Sequence, residues 1–211
     1  MTSAPNSLPR VFAIVPAAGR SRRMGQAKQL LDVGGQPLLL ATLRPLSAAE
    51  IVGLVLVTHR AIAEQLGAAL PPAAILVRND DEHSEMIDSV RIGLRTWQAR
   101  ASVHEHDGIL VCPADQPGIQ TADFDACIHA FRRMPDGIVI AARAGRRGHP
   151  QIFPAALADF VLSDACAAGL HALPRCFPDR VQLVPCESRE VVEDVDTPAD
   201  CRRWLKHRDR P

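Results

Sequence analysis

The 211-residue chain carries 24 basic and 24 acidic side chains, so its formal net charge is zero, and 47% of its residues are hydrophobic. That supports one sizeable core and leaves little for a second, and residues 10–206 are expected to form it, between a tail at 1–9 and a frayed end at 207–211. The neutral balance excludes a general nucleic-acid binder, the apolar runs are too short to span a bilayer, and six cysteines with neither a CxxC pair nor a signal segment read as reduced thiols in a cytoplasmic protein.

In chain order, residues 11–16 read as a buried strand and 37–46 as a helix. A Val- and Leu-rich strand follows at 51–58, then a helix at 60–70 and a short strand at 74–77. Residues 85–100 place Met86, Val90, Leu94 and Trp97 on one helical face, read as core, with Ser84 as the cap. Next come a strand at 108–112, a helix at 121–133 and a strand at 137–142. Residues 144–150, rich in Gly and Arg, read as a loop. Late strands are expected at 181–185 and 191–195, and a closing helix at 198–206 capped by Thr197. Apolar strands alternating with helices define an α/β, Rossmann-like three-layer sandwich with a mostly parallel sheet. Such sheets bind ligands at the carboxyl ends of their strands, where the strand order reverses.

The first strand runs into Pro16-Ala17-Ala18-Gly19-Arg20-Ser21-Arg22-Arg23-Met24-Gly25-Gln26-Ala27-Lys28. Small residues after a strand let backbone amides form an anion-binding concavity, and Arg23 and Lys28 can neutralise a polyphosphate. The segment is neither GxGxxG nor GxxxxGK[ST], so dinucleotide and P-loop readings fit poorly. A solvated basic turn is the alternative. A second feature is Cys112-Pro113-Ala114-Asp115-Gln116-Pro117 at the end of the central strand. A carboxylate there, beside phosphates, is placed to hold Mg²⁺, which takes oxygen ligands; otherwise Asp115 is a turn residue bonding its own backbone.

The long opening segment, continued by Leu30-Leu31 and by Gly35-Gln36-Pro37-Leu38-Leu39, resembles the signature of the MobA-like NTP transferases. The branch it is most similar to is the molybdenum cofactor cytidylyltransferases, and the likeness runs from residue 11 to about 205. The resemblance implies a fold of the nucleotide-diphospho-sugar transferase type. It also implies that Ala17, Ala18, Gly19, Ser21, Arg23 and Lys28 line the nucleotide, with Arg23, Lys28 and Asp115 catalytic and Asp115 a ligand of Mg²⁺. Glu193-Asp194-Val195-Asp196-Thr197-Pro198 resembles the family's late acidic segment, so Asp196 is either a second metal contact or an acidic residue complementing a helix N-terminus.

Ser89-Val90-Arg91-Ile92-Gly93-Leu94 is similar to a helix start whose Ser meets the nucleotide; the alternative is a serine bonding the carbonyl four residues back. Where several relatives carry Arg three residues before that Ser, this chain has Met86. Residues 143–150 resemble the family's acceptor-side segment, which implies acceptor contacts from Arg147, Gly148 and His149; a solvated charged loop is the other reading. The residues around Gly169, Leu170 and His171 add to that pocket.

The activity so implied is transfer of CMP from CTP to the terminal phosphate of molybdopterin, with release of pyrophosphate. Ala17-Ala18-Gly19 leans toward cytidine through the methyl at position 18. A molybdoenzyme or its chaperone would be the protein partner; neither nucleic acid nor a membrane is expected. A sugar-phosphate nucleotidyltransferase and a non-catalytic nucleotide or molybdopterin carrier remain as alternatives. A dinucleotide-dependent oxidoreductase is disfavoured by the missing GxGxxG.

Overall fold

The structure, a computed structural model, describes residues 8–19 and 27–208. Its centre is β1 (Val11–Ala17), every residue of which is buried. β1 pairs in parallel with β2 (Gly53–Thr58) on one side and with β4 (Gly108–Val111) on the other. β3 (Ala74–Arg78) adds in parallel to β2. Beyond β4 come β6 (Arg146–Pro154), antiparallel to both neighbours, then β5 (Ile138–Arg143) and β7 (Val181–Pro185), in the order β3-β2-β1-β4-β6-β5-β7. The sheet is therefore mixed but mostly parallel. Its order reverses between β1 and β4, so the carboxyl ends of these two strands flank the crevice.

Alternate strand residues feed two apolar layers, as the period of 2 requires. One layer joins Val11, Ala13, Val15 and Leu56 to α1 (Leu38–Ser47) and α4 (Thr121–Arg133). The other joins Phe12, Ile14, Val55 and Phe153 to α3 (Met86–Arg100) and the short helices α5 (Ala158–Leu162) and α6 (Ala172–Cys176). α3 lies close to β1 because Gly93 faces it: a Cβ there would come 2.5 Å from Ile14 Cγ2. A third, smaller cluster of Val33, Leu38, Ala41, Val195 and Cys201 fastens the closing helix α7 (Pro198–Arg208) to α1.

Several elements differ from the sequence expectation. The helix expected over 60–70 ends as α2 (Arg60–Leu66), because Gly67 takes φ +44° and a tighter 3-10 turn follows. α3 is capped at Glu85 rather than Ser84: Glu85 and Asp88 form a reciprocal capping box. Met86 is not core; it is 42% exposed while Val90, Leu94 and Trp97 are buried. The loop expected at 144–150 is largely strand. Ala144 and Gly145 have φ of 48° and 78°, the two-residue turn that joins hairpin strands, so β6 begins at Arg146. Residues 191–195 form no strand: Arg189–Val192 is a 3-10 turn, Val191 is sunk in the main core and Val195 in the third cluster. Thr197 does cap α7, its Oγ1 accepting from the Asp200 amide at 3.2 Å.

Candidate active site

The end of β1 is held from two sides. The Ala17 carbonyl accepts from Thr58 Oγ1 of β2 at 3.2 Å and from Gln29 Nε2 at 2.8 Å. Gln29 Nε2 also donates to the Gly19 carbonyl at 2.9 Å. Gln29 itself is 2% exposed, so this buried side chain fixes the backbone from Ala17 to Gly19. Ala17 and Ala18 are buried and Gly19 is exposed. Ser21 and Arg23, expected to contact phosphates, lie outside the described residues.

Lys28 opens the 3-10 turn Lys28–Leu30 that follows the loop. Its Nζ donates to Asp115 Oδ2 at 2.5 Å and to Asp196 Oδ1 at 2.9 Å. Three sequence-distant residues thus meet at one ammonium, at the carboxyl ends of β1 and β4. Burial works to lower the Lys28 pKa, but the charges and hydrogen bonds of Asp115 and Asp196 outweigh it and hold the value above 10.5. Asp194 stands beside them, and burial followed by the charge of Asp115 raises its carboxyl above the usual range.

The loop after β4 is fixed at both ends. Thr42 Oγ1 of α1 donates to the Ala114 carbonyl at 3.1 Å, and the Val195 amide donates to the Asp115 carbonyl at 2.9 Å. Gln116 Nε2 donates to Asp194 Oδ1 at 2.8 Å. These bonds lock the Asp115 loop to the late acidic segment, about 80 residues away.

Ser89 lies in the first turns of α3, 2% exposed. Its Oγ accepts from Asn79 Nδ2 at 3.1 Å, and Asn79 Nδ2 also reaches Ser84 Oγ at 2.7 Å. Asn79, whose amide is anchored on the Thr58 carbonyl, therefore positions Ser89. A small cavity of about 120 Å³ gathers Ala17, Gly19, Lys28, Gln29, Ser89 and Asp115.

A second cavity, about 510 Å³, adjoins the first through Met86, which lines both. Arg147, Gly148 and His149 form part of its wall, with Gln151, Leu170, His171 and Arg175. They are presented there by a bulge: β6 pairs with β5 at Arg147↔Ala142 and again at Gln151↔Ile140, so Gly148, His149 and Pro150 oppose the single residue Ala141. Bulges of this kind re-aim side chains at the rim of a sheet. Burial lowers the pKa of His149, only partly offset by Asp115, so its imidazole is neutral at pH 7. Gly148 has a packing duty as well, since a Cβ there would sit 1.6 Å from the Val191 carbonyl oxygen.

Of the residues singled out from sequence, Lys28, Asp115 and Asp196 come into direct contact, Ala17, Gly19 and Ser89 line the same cavity, and Arg147, Gly148 and His149 line the adjoining one. Gln29, Asn79, Asp194 and Gln151 were missed as individual residues. The three amide side chains have no sequence signal of their own until the fold shows what they reach, whereas Asp194 lies within the acidic segment that carries Asp196.

The chain is similar to several known proteins. A protein named nicotine blue oxidoreductase, from Paenarthrobacter nicotinovorans, is 31% identical over 210 residues, covering 94% of this chain and 98% of that protein. A 2-C-methyl-D-erythritol 4-phosphate cytidylyltransferase from Xanthomonas campestris pv. campestris (strain B100) is 32% identical over 238 residues, covering 95% and 86%. The crystal structure of Rv0371c from Mycobacterium tuberculosis H37Rv superposes with a TM-score of 0.77 at 27% identity, covering 95% of this chain and 99% of that one. The family model described as the MobA-like NTP transferase domain matches residues 13–182, and the chain belongs to that family of nucleotidyltransferases.

Proposed function

We propose that the protein transfers CMP from CTP to the terminal phosphate of molybdopterin. An acceptor phosphate oxygen forms a bond to the α-phosphorus of CTP, and the bond from that phosphorus to the bridging oxygen breaks, releasing pyrophosphate. The observation that carries this reading is the meeting of Lys28, Asp115 and Asp196 at the switch point, next to a cavity walled by Arg147 and His149.

The Ala17–Gly19 turn offers the triphosphate a close backbone approach, and Lys28 supplies positive charge where charge grows on the leaving group. Ser89, held by Asn79, faces the same cavity and orients the nucleotide. Asp115 and Asp196 suit a hard divalent cation: two carboxylates already converge on one cationic group, the ammonium of Lys28. Bound there, Mg²⁺ would screen the repulsion between phosphate oxygens. His149 is not needed as a base, because a phosphate monoester is largely ionised at pH 7.

The test is pyrophosphate release by the purified chain, with CTP, GTP, ATP and UTP each paired with molybdopterin or with 2-C-methyl-D-erythritol 4-phosphate, with Mg²⁺ or with EDTA. Release with CTP and molybdopterin, abolished by EDTA, is expected. Release with the erythritol phosphate alone would replace the acceptor and keep the chemistry. Binding without release under every condition would make the protein a carrier. A second reading, a redox enzyme built on this fold, is favoured by the relative named as an oxidoreductase. It predicts no pyrophosphate release and a change in nicotinamide absorbance.

A further inference from the structure

The second cavity is lined by an amide nitrogen, Gln151 Nε2, that has no partner among the described residues. On β6, Phe153 and Gln151 share one face of the strand, and Phe153 packs in the apolar layer under α3. Gln151 is 6% exposed on that same face, opposite Ile140 of β5 and Val111 of β4. Buried amides are ordinarily satisfied, so one left open at a cavity wall is poised for a ligand atom. The rest of the cavity says what kind of ligand fits. Met86, Ile87, Leu170 and Pro174 offer apolar faces, and Arg147 and Arg175 supply positive charge.

We propose that Gln151 selects the acceptor by hydrogen-bonding a carbonyl or ring nitrogen of a flat, apolar-faced heterocycle whose anionic group is met by the cavity's arginines. This rests on the reading of the second cavity as the acceptor side of a nucleotidyltransferase. A lone phosphate or an open-chain polyol phosphate could accept from the amide but would leave the apolar faces of Met86, Ile87, Leu170 and Pro174 uncovered. The 510 Å³ space is that of a pocket for a small-molecule ring system rather than for a phosphate alone.

The probe is pterin-6-carboxylate, a fluorescent flat heterocycle with ring nitrogens, a carbonyl and one carboxylate. The control is 2-naphthoate, which has the flat ring and the carboxylate but neither a carbonyl nor a nitrogen in the ring. Binding is followed by fluorescence with the full chain. Wild type is expected to prefer the pterin by about tenfold or more, and Gln151→Leu to lose that preference while binding 2-naphthoate as before. Gln151→Asn, with a shorter amide, should show a partial loss, and circular dichroism checks that both variants are folded. Equal affinity of wild type for the two probes, or an unchanged preference in a folded Gln151→Leu, overturns the proposal. CTP binding measured on the same samples separates this failure from failure of the nucleotidyltransferase reading, since Gln151 is not among the residues lining the Lys28 cavity.

Discussion

The carbonyl oxygen of Val191 occupies the space that a side chain at Gly148 would need, 1.6 Å from where a Cβ would stand. The bulge of β6 and the 3-10 turn Arg189–Val192 are therefore in backbone contact, and that turn leads directly into Asp194 and Asp196. Because the obstacle is backbone, Gly148→Ala must displace the whole segment. The expected result is a loss of about 3 kcal/mol in urea unfolding, together with a drop in turnover larger than the stability loss explains. A stable and fully active Gly148→Ala would show that the two segments separate freely.

Asp115→Asn tests the carboxylate cluster with little change of shape. The amide oxygen can still accept from Lys28, which keeps its contact with Asp196, so stability should change by only about 1 kcal/mol. Pyrophosphate release should fall by about a hundredfold or more, because a neutral oxygen is a poor ligand for a hard cation. Turnover near that of wild type at saturating Mg²⁺ would remove Asp115 from the chemistry.

Gln29 offers a test of positioning. Gln29→Met keeps the length of the side chain and its burial but removes the donor shared by the Ala17 and Gly19 carbonyls. Two carbonyls then lose a partner, at about 2 kcal/mol in stability. The KM for the nucleotide should rise by roughly tenfold, with kcat less affected, since the backbone from Ala17 to Gly19 loses its shared donor while Lys28 and Asp115 remain. An unchanged KM with the expected stability loss would confine Gln29 to a structural role.

Much of this was legible in the chain. The runs at β1, β2 and β4 are continuous and apolar because each strand is buried on both faces, and the helices between them show a clear period. Lys28 and Asp115 could be picked out by residue type at the end of a strand together with the family signature around them, and Asp196 through the resemblance of its acidic segment alone. The misreadings share a cause in tertiary placement. β6 begins with Arg146, Arg147 and Gly148 because that end of the strand leaves the core and lines a crevice, so it lacks the apolar pattern of a strand. Val191 and Val195 look like one strand, yet each plugs a different cluster, Val191 from within the 3-10 turn Arg189–Val192 and Val195 from the segment after it. Met86 fits a helical stripe by spacing, but it sits at the first turn of α3, where the helix opens onto both cavities.

Far from the site, Arg10 and Asp107 allow a pH-dependent prediction with a definite sign. Asp107 accepts from the Arg10 amide at 3.2 Å, from Arg10 Nη2 at 2.5 Å and from the His104 amide at 2.8 Å, and so ties the start of β1 to the turn before β4. Burial pushes its pKa up, but the Arg10 and His104 bonds outweigh burial and hold it below the ordinary 3.8. The unfolded chain therefore binds a proton at Asp107 before the folded one does, and the stabilisation is complete above pH 3.8 and lost as pH falls through the folded value. Asp107→Asn should be less stable than wild type at pH 7 by about 2 kcal/mol, discounted for the partial exposure of Arg10. The gap should narrow as the pH drops below 3.8, because only wild type loses this contribution. Urea unfolding of both proteins between neutral and strongly acid pH measures it; a gap that stays constant would mean that Asp107 acts through packing rather than through its charge.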